Sequence, residues 1–259
     1  MKTSIDREKE LMKLSGEFQK MVSEFFSVQC RYQAAIREVQ TKLEILDEEF
    51  QMRHSRNPIH HMQSRMKTIP SMMEKLRRRN EHISVASAVE HLTDIAGIRV
   101  VCYYIEDIYT IANLLTSQDD IRVLKWRDYI KEPKENGYRS LHLVVEVPVF
   151  LAEGRTPVPV EVQIRTIAMD FWASLEHSLR YKAVGQVPEE ISDELAQAAE
   201  DIAALDVKMQ SIRMRVDELT AAEEENNENA AETEGAAIDE VEEGPKTPDF
   251  LSVPAVLGM

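Results

Sequence analysis

A mixed α/β or α+β fold, one β-sheet with helices packed around it, follows from three observations on this 259-residue chain. Four short segments, 95–105, 121–127, 141–149 and 158–165, are rich in β-branched and aromatic residues and are bounded by turn residues, as strands are. Helical periodicity fills the stretches between and around them. Strands interleaved with helices indicate a sheet flanked by helices. From Ala221 onward Glu, Asn, Ala and Thr dominate and aromatics vanish until Phe250. Such a segment cannot offset its ordering entropy, so 221–259 is predicted to be a disordered acidic tail behind a domain spanning 1–220.

The elements follow in order. Residues 5–53 lack proline and place Phe18, Met21, Val22, Phe25 and Phe26, then Ile36, Val39, Leu43 and Leu46, at helical spacing. This long helix covers the domain or another subunit. The run Arg56-Asn57-Pro58 ends it. A short helix is expected near Ser71, with Ser71 and Glu74 at capping-box spacing and Pro70 stopping the preceding chain. A further helix runs from Ser84 to about His91. After the strand at 95–105, a helix at 106–117 and a strand at 121–127, the strands 141–149 and 158–165 are joined by the turn-like AEGRTP. Long helices close the domain at 167–182 and 189–219. The terminal FLSVPAVLGM reads as a frayed end.

Composition narrows the function classes. No run of eighteen apolar residues exists, so no membrane-spanning helix is expected, and the first residues lack a signal-peptide core. Two distant cysteines, Cys30 and Cys102, suggest a reducing compartment, hence the cytoplasm. The net charge of −15 is uneven: residues 221–259 hold 11 acidic groups and one lysine (−10), and the rest hold 35 acidic and 30 basic groups (−5). A polyanionic ligand meets the local field rather than that sum. Nucleic acid is not the expected partner.

Four clusters carry candidate chemistry, and each has a structural alternative. Arg65, Lys67, Lys75, Arg77, Arg78 and Arg79 form a basic run opposed only by Glu74; it is a solvated helix face or a phosphate site. Asp94 and Arg99 bracket the start of a strand, as an internal ion pair or as a metal carboxylate and a base- or phosphate-holding guanidinium. The Asn136-Gly137 turn presents Tyr138 between Lys134 and Arg139, a packed hairpin or a stacking platform for a base. His142 follows on the strand, where a satisfied structural histidine is the common case. In the strand Val160–Thr166 the aliphatic residues point one way and Glu161, Gln163 and Arg165 the other. An acid, an amide and a guanidinium on one strand face suggest a functional surface, with Glu161 as metal ligand or general base. No Walker loop or kinase glycine loop is present.

Taken together, RMKTIPSMMEKLRRR (65–79), DIAGIRV (94–100), RDYIKEPKENGYRSLH (127–142) and VEVQIRT…FWASLEHSLRYK (160–182) resemble the small alarmone synthetases, the single-domain branch of the RelA/SpoT (p)ppGpp synthetase superfamily. The resemblance spans roughly Phe50 to Leu219. It implies a nucleotidyltransferase-like mixed sheet wrapped by helices, and transfer of the ATP β,γ-pyrophosphate to the ribose 3′-hydroxyl of GDP or GTP with release of AMP. By motif position, Arg65 and Arg99 resemble the pair that sandwiches adenine, and Lys67, Ser71, Lys75 and Arg78 the ATP phosphate contacts. Asp94 and Glu161 match the Mg²⁺ carboxylates, Glu161 also being placed to activate the 3′-hydroxyl. Tyr138 matches the guanine-stacking residue, with Lys134, His142, Gln163, Asp170 and His177 at the acceptor site. A homo-oligomer, a tetramer in some relatives, is also implied. Asp170 stands where many relatives carry Asn, and His61 and Gln63 stand where tetrameric relatives bind alarmone through Phe and Thr. No His-Asp dipeptide occurs, so alarmone hydrolysis is not expected. The alternatives are an acceptor among adenine nucleotides or RNA ends, or a nucleotide-binding module without turnover.

Overall fold

The structure is a computed structural model that describes residues 4–182 and 188–239. The elements run α1 (Ser4–His54), β1 (Ile59–Met66), α2 (Ile69–Arg78), α3 (Val85–His91), β2 (Ala96–Cys102), α4 (Ile105–Thr116), β3 (Arg122–Asp128), β4 (Leu141–Leu151), β5 (Gly154–Thr166), α5 (Ile167–Lys182) and α6 (Glu189–Asp239). The strands form one mixed sheet in the order β1-β2-β5-β4-β3. Its β2–β5 pair is parallel and the other three pairs are antiparallel.

The two faces of the sheet differ because strand side chains alternate. Ile98, Val100 and Cys102, Val160, Val162 and Ile164, and Leu141, Leu143 and Val145 form one buried cluster with α1 and α4. From α1 come Tyr32, Ala35, Ile36, Val39, Leu43 and Leu46, spaced by three and four to make one helical face. Ile36, Val39, Leu43 and Leu46 each contribute about 1.5–3 kcal/mol by leaving water. Ile36, Val39, Leu43 and Leu46 are the stripe that periodicity predicts, whereas Phe26 is exposed. Val101 and Val144 point to the opposite face and are buried outside this cluster. That second face carries the polar residues.

Several local features depart from the sequence expectation. The strand β1 has no apolar alternation, because it is an edge strand buried only at Ile59. The helix α2 starts at Ile69, with Thr68 as its cap accepting the Ser71 N–H at 3.4 Å. Pro70 therefore sits inside the first turn, where its missing N–H has no helical partner to lose, and Glu74 pairs instead with Arg78 at 3.3 Å. The β4–β5 hairpin turns on Ala152 and Glu153, with Gly154 at φ +113°. Pro148 and Pro157 face each other in the part of this hairpin beyond the reach of β3 and β2, where a missing N–H costs no ladder bond.

The helix α6 continues through residues 221–239, where composition predicts no order. Alanine and glutamate are strong helix formers, and a helix satisfies its backbone without a core. Residues 240–259, with the terminal FLSVPAVLGM, lie outside the described residues. The chain divides into two compact units, Met1–Gln210 and Ser211–Met259. In the second unit Arg213 pairs with Asp217 at 2.6 Å. Cys30 and Cys102 are both free. Among the described residues no helix is long and apolar enough to cross a membrane.

Candidate active site

Strand register assembles the site from residues far apart in sequence. One row across the sheet reads Gln63, Arg99, Gln163, His142, Arg127, and the next reads Arg65, Gly97, Glu161, Val144, Lys125. A cavity of about 240 Å³ opens on this face, lined by Gln63, Arg65, Gly97, Ile98, Arg99, Glu161 and Gln163. Gly97 forms its floor between Arg65 and Glu161. A Cβ added there would meet Arg65 Cγ and Nε at 3.7 Å and the Glu161 carbonyl at 3.8 Å. The missing side chain therefore leaves a slot between the two arginines and the carboxylate.

Beside the slot, Asp94 precedes β2. Its Oδ2 accepts from Lys67 Nζ at 2.9 Å and from Lys75 Nζ at 2.6 Å. Burial alone would raise this carboxyl, but the two lysines outweigh it and hold Asp94 below its ordinary value. Its Oδ1 is buried without a hydrogen-bond partner among the described residues. An ionised carboxylate with one oxygen committed and one free is a cation ligand in waiting.

On the other side, Arg165 is the hub. It is only 3% exposed. Its guanidinium donates to Tyr138 Oη at 2.8 Å, to Gln163 Oε1 at 3.0 Å and to Asp170 Oδ1 at 3.2 Å. Gln163 passes the chain on, donating from Nε2 to Glu161 Oε2 at 2.9 Å. Because Arg165 already donates to the Tyr138 oxygen, the tyrosine O–H is free to donate to His142 Nε2 at 2.8 Å. That assigns the imidazole proton to Nδ1, which lies 3.7 Å from Glu161 Oε1. Burial first, and then the positive charges of Lys134, Arg165, Arg127 and Arg65, push His142 down to about 3, so it is neutral at physiological pH. Burial raises the Tyr138 hydroxyl despite Arg165, which keeps it a donor. Lys134 Nζ lies 4.7 Å from the Tyr138 ring centre and 4.8 Å from that of Tyr129.

Most of the sequence candidates converge. Arg65, Arg99, Glu161 and Gln163 line the cavity, Lys67 and Lys75 hold Asp94, and Lys134, Tyr138 and His142 form the aromatic corner. Asp170 is a counter-ion for both Arg165 and Arg99, the latter at 3.4 Å. Three candidates stand apart. Ser71 is engaged by Thr68 at 2.9 Å, Arg78 is exposed and bound to Glu74, and His177 is exposed on α5 with no contact to the cluster among the described residues. Tyr129 joins the site without having been singled out; Arg165 was read on the polar face of its strand without a role of its own, and Gln63 only as a position where tetrameric relatives bind alarmone. The alternation that exposed Glu161 and Gln163 also covers Arg165; Gln63 needed the β1–β2 register.

A basic slot beside a lysine-held carboxylate and an aromatic, cationic corner defines a site for transfer chemistry on phosphorylated, base-bearing ligands. Residues 64–186 match the family described as the region found in RelA / SpoT proteins. The chain is 47% identical over 186 residues to GTP pyrophosphokinase YwaC of Bacillus subtilis, covering 72% of this chain and 89% of that protein. It is 40% identical over 191 residues to GTP pyrophosphokinase YjbM of the same organism, covering 74% and 89%. Among solved structures, small alarmone synthetase 1 from Bacillus subtilis bound to its product pppGpp superposes with a TM-score of 0.66 at 40% identity, over 71% of this chain and 94% of that one. This chain belongs to the RelA/SpoT family.

Proposed function

We propose that this protein is a GTP pyrophosphokinase that makes (p)ppGpp by moving the β,γ-pyrophosphate of ATP to the 3′-hydroxyl of GDP or GTP. The observation that carries this reading is Glu161, set on the cavity floor between the arginine slot and the Tyr138 corner. The hydroxyl oxygen attacks the β-phosphorus as Glu161 takes its proton, the bond from that phosphorus to the bridging oxygen breaks, and AMP leaves. Arg65 and Arg99, flat and cationic, suit adenine between them. Lys67 and Lys75 are near enough to Asp94 to serve phosphates once a cation takes up the carboxylate. The Tyr138 ring suits guanine, with Lys134 beside it for the acceptor's phosphates.

The free buried oxygen of Asp94, together with Glu161, fits a Mg²⁺ that keeps several waters and phosphate oxygens as its other ligands. Bound there, Mg²⁺ would neutralise charge on the pyrophosphate. Among the described residues no group of three or more acidic, histidine or cysteine side chains could hold a metal by itself, which accords with a cation that arrives with the nucleotide. Ile167, Phe171, Leu175 and Leu179 are exposed along one side of α5 at four-residue spacing, and they support a homo-oligomer, which light scattering would measure. Two free cysteines support a cytoplasmic location.

The test is purified protein with ATP, Mg²⁺ and either GDP, GTP or ADP as acceptor, with products separated by chromatography. AMP and a pyrophosphorylated guanosine are expected, and Glu161→Gln should lower turnover by about 10²–10⁴ with the melting temperature retained. Wild-type turnover in that variant, or transfer to ADP in preference to GDP and GTP, would overturn the reading.

A further inference from the structure

The turn that carries Tyr138 is not held by the sheet alone. Internally, Gly137 N–H donates to Lys134 O at 2.8 Å, Lys134 N–H to Tyr138 O at 3.2 Å, and Tyr138 N–H to Asn136 Oδ1 at 3.3 Å. Gly137 lies at φ +82°, and a Cβ built on it would come within 2.5 Å of Ala199 Cβ on α6. Turn and helix are thus in contact at the one point where the turn has no side chain. Arg139 closes the joint. Its guanidinium donates to Gly137 O at 3.2 Å, to Ala199 O at 3.4 Å and to Glu200 at 2.9 Å. On the other side, Asn136 donates to Glu176 of α5 at 3.0 Å.

The helix is itself tied to the strand that carries Glu161. Thr166, the last residue of β5, donates from Oγ1 to Asp206 at 2.6 Å, and both side chains are buried. Trp172 Nε1 donates to Leu195 O at 3.0 Å. One helical segment therefore fixes the distance between the catalytic strand and the Tyr138 turn. A buried contact between small residues transmits displacement directly, because close-packed interiors leave no slack.

We propose that residues 195–206 of α6 are a positioning element for the acceptor site, with Ala199 and Arg139 holding the Tyr138 ring where the acceptor base stacks. This rests on the reading of Tyr138 as the acceptor platform. Ala199 and Arg139 touch no substrate in this account; they act through the turn. The donor slot is lined from β1, β2 and β5 and holds no residue of the turn or of α6.

The test compares wild type, Ala199→Leu, Ala199→Ser and Arg139→Ala by two readouts: affinity for a fluorescent GDP analogue, and the separate KM values for GDP and ATP. Ala199→Leu and Arg139→Ala should weaken acceptor binding and raise the acceptor KM by about tenfold, as an ångström-scale misplacement does. The ATP KM should stay within about twofold, since the shift is confined to one subsite, and Ala199→Ser should behave as wild type. If Ala199→Leu fails to fold, Arg139→Ala, at the more exposed end of the joint, carries the comparison. Unchanged acceptor affinity in the folded variants, or equal losses for both nucleotides, overturns the positioning role. A wild type that binds the GDP analogue without releasing AMP fails the transfer reading alone, and the affinity series still decides the joint. A wild type that binds no GDP analogue overturns the acceptor reading and the positioning role together.

Discussion

Residue by residue, the site depends on how few charges are left uncommitted. Asp94 holds two lysines with one oxygen, and Glu161 is reached from Arg165 through Gln163. His142 is strongly altered by folding, being held near 3 against an ordinary 6.5. Between those values the unfolded chain binds a proton that the folded chain does not, so stability rises with pH across that window and is lost as pH falls from 6.5 toward 3. Melting temperatures taken from pH 7.5 down to 4.5 should fall steeply for the wild type and less steeply for His142→Gln. Equal slopes would show that the imidazole is not the neutral acceptor described.

At the scale of elements, register decides which side chains meet. The β1–β2 and β2–β5 pairings put Gly97 between Arg65 and Glu161, and the absence of a side chain there makes the slot. Gly97→Ala places a methyl at ordinary contact distance from Arg65, in extended backbone that alanine tolerates. Folding should be unharmed or gain about 0.4–1 kcal/mol from the stiffer unfolded chain. The raised floor should increase the ATP KM by about tenfold while the GDP KM moves little. A wild-type ATP KM in that variant would mean that the donor base lies elsewhere.

Over the whole molecule, charge is divided between a nearly balanced body and an acidic end. Substrates that are polyanions meet the long-range field of both, and salt screens it over about 8–10 Å at physiological ionic strength. A chain ending at residue 220 loses a net charge of −10. It should show a higher kcat/KM than the full chain at low ionic strength, by about threefold, with the difference gone at 0.5 M salt. A ratio that does not depend on salt would assign the tail a role other than electrostatic.

The sequence determined the mixed sheet, the core stripe of α1 and the polar face of β5, because alternation and helical periodicity are local signals that survive without neighbours. It also carried Arg65, Asp94, Tyr138 and Glu161 as candidates, since a basic run, a carboxylate before a strand, an Asn-Gly turn and a charge on an otherwise apolar strand are each visible in the chain itself. The edge strand β1 escaped it, for its sparse apolar residues, Ile59, Met62 and Met66, make no alternating pattern. Only the tertiary structure decided that Arg165 is the hub, that Gly97 leaves a slot in its strand, and that α6 presses on the Tyr138 turn through Ala199. Those facts rest on cross-strand register and on a helix-to-turn contact between residues 62 positions apart, and pairing at that separation leaves no mark on the local pattern of either segment.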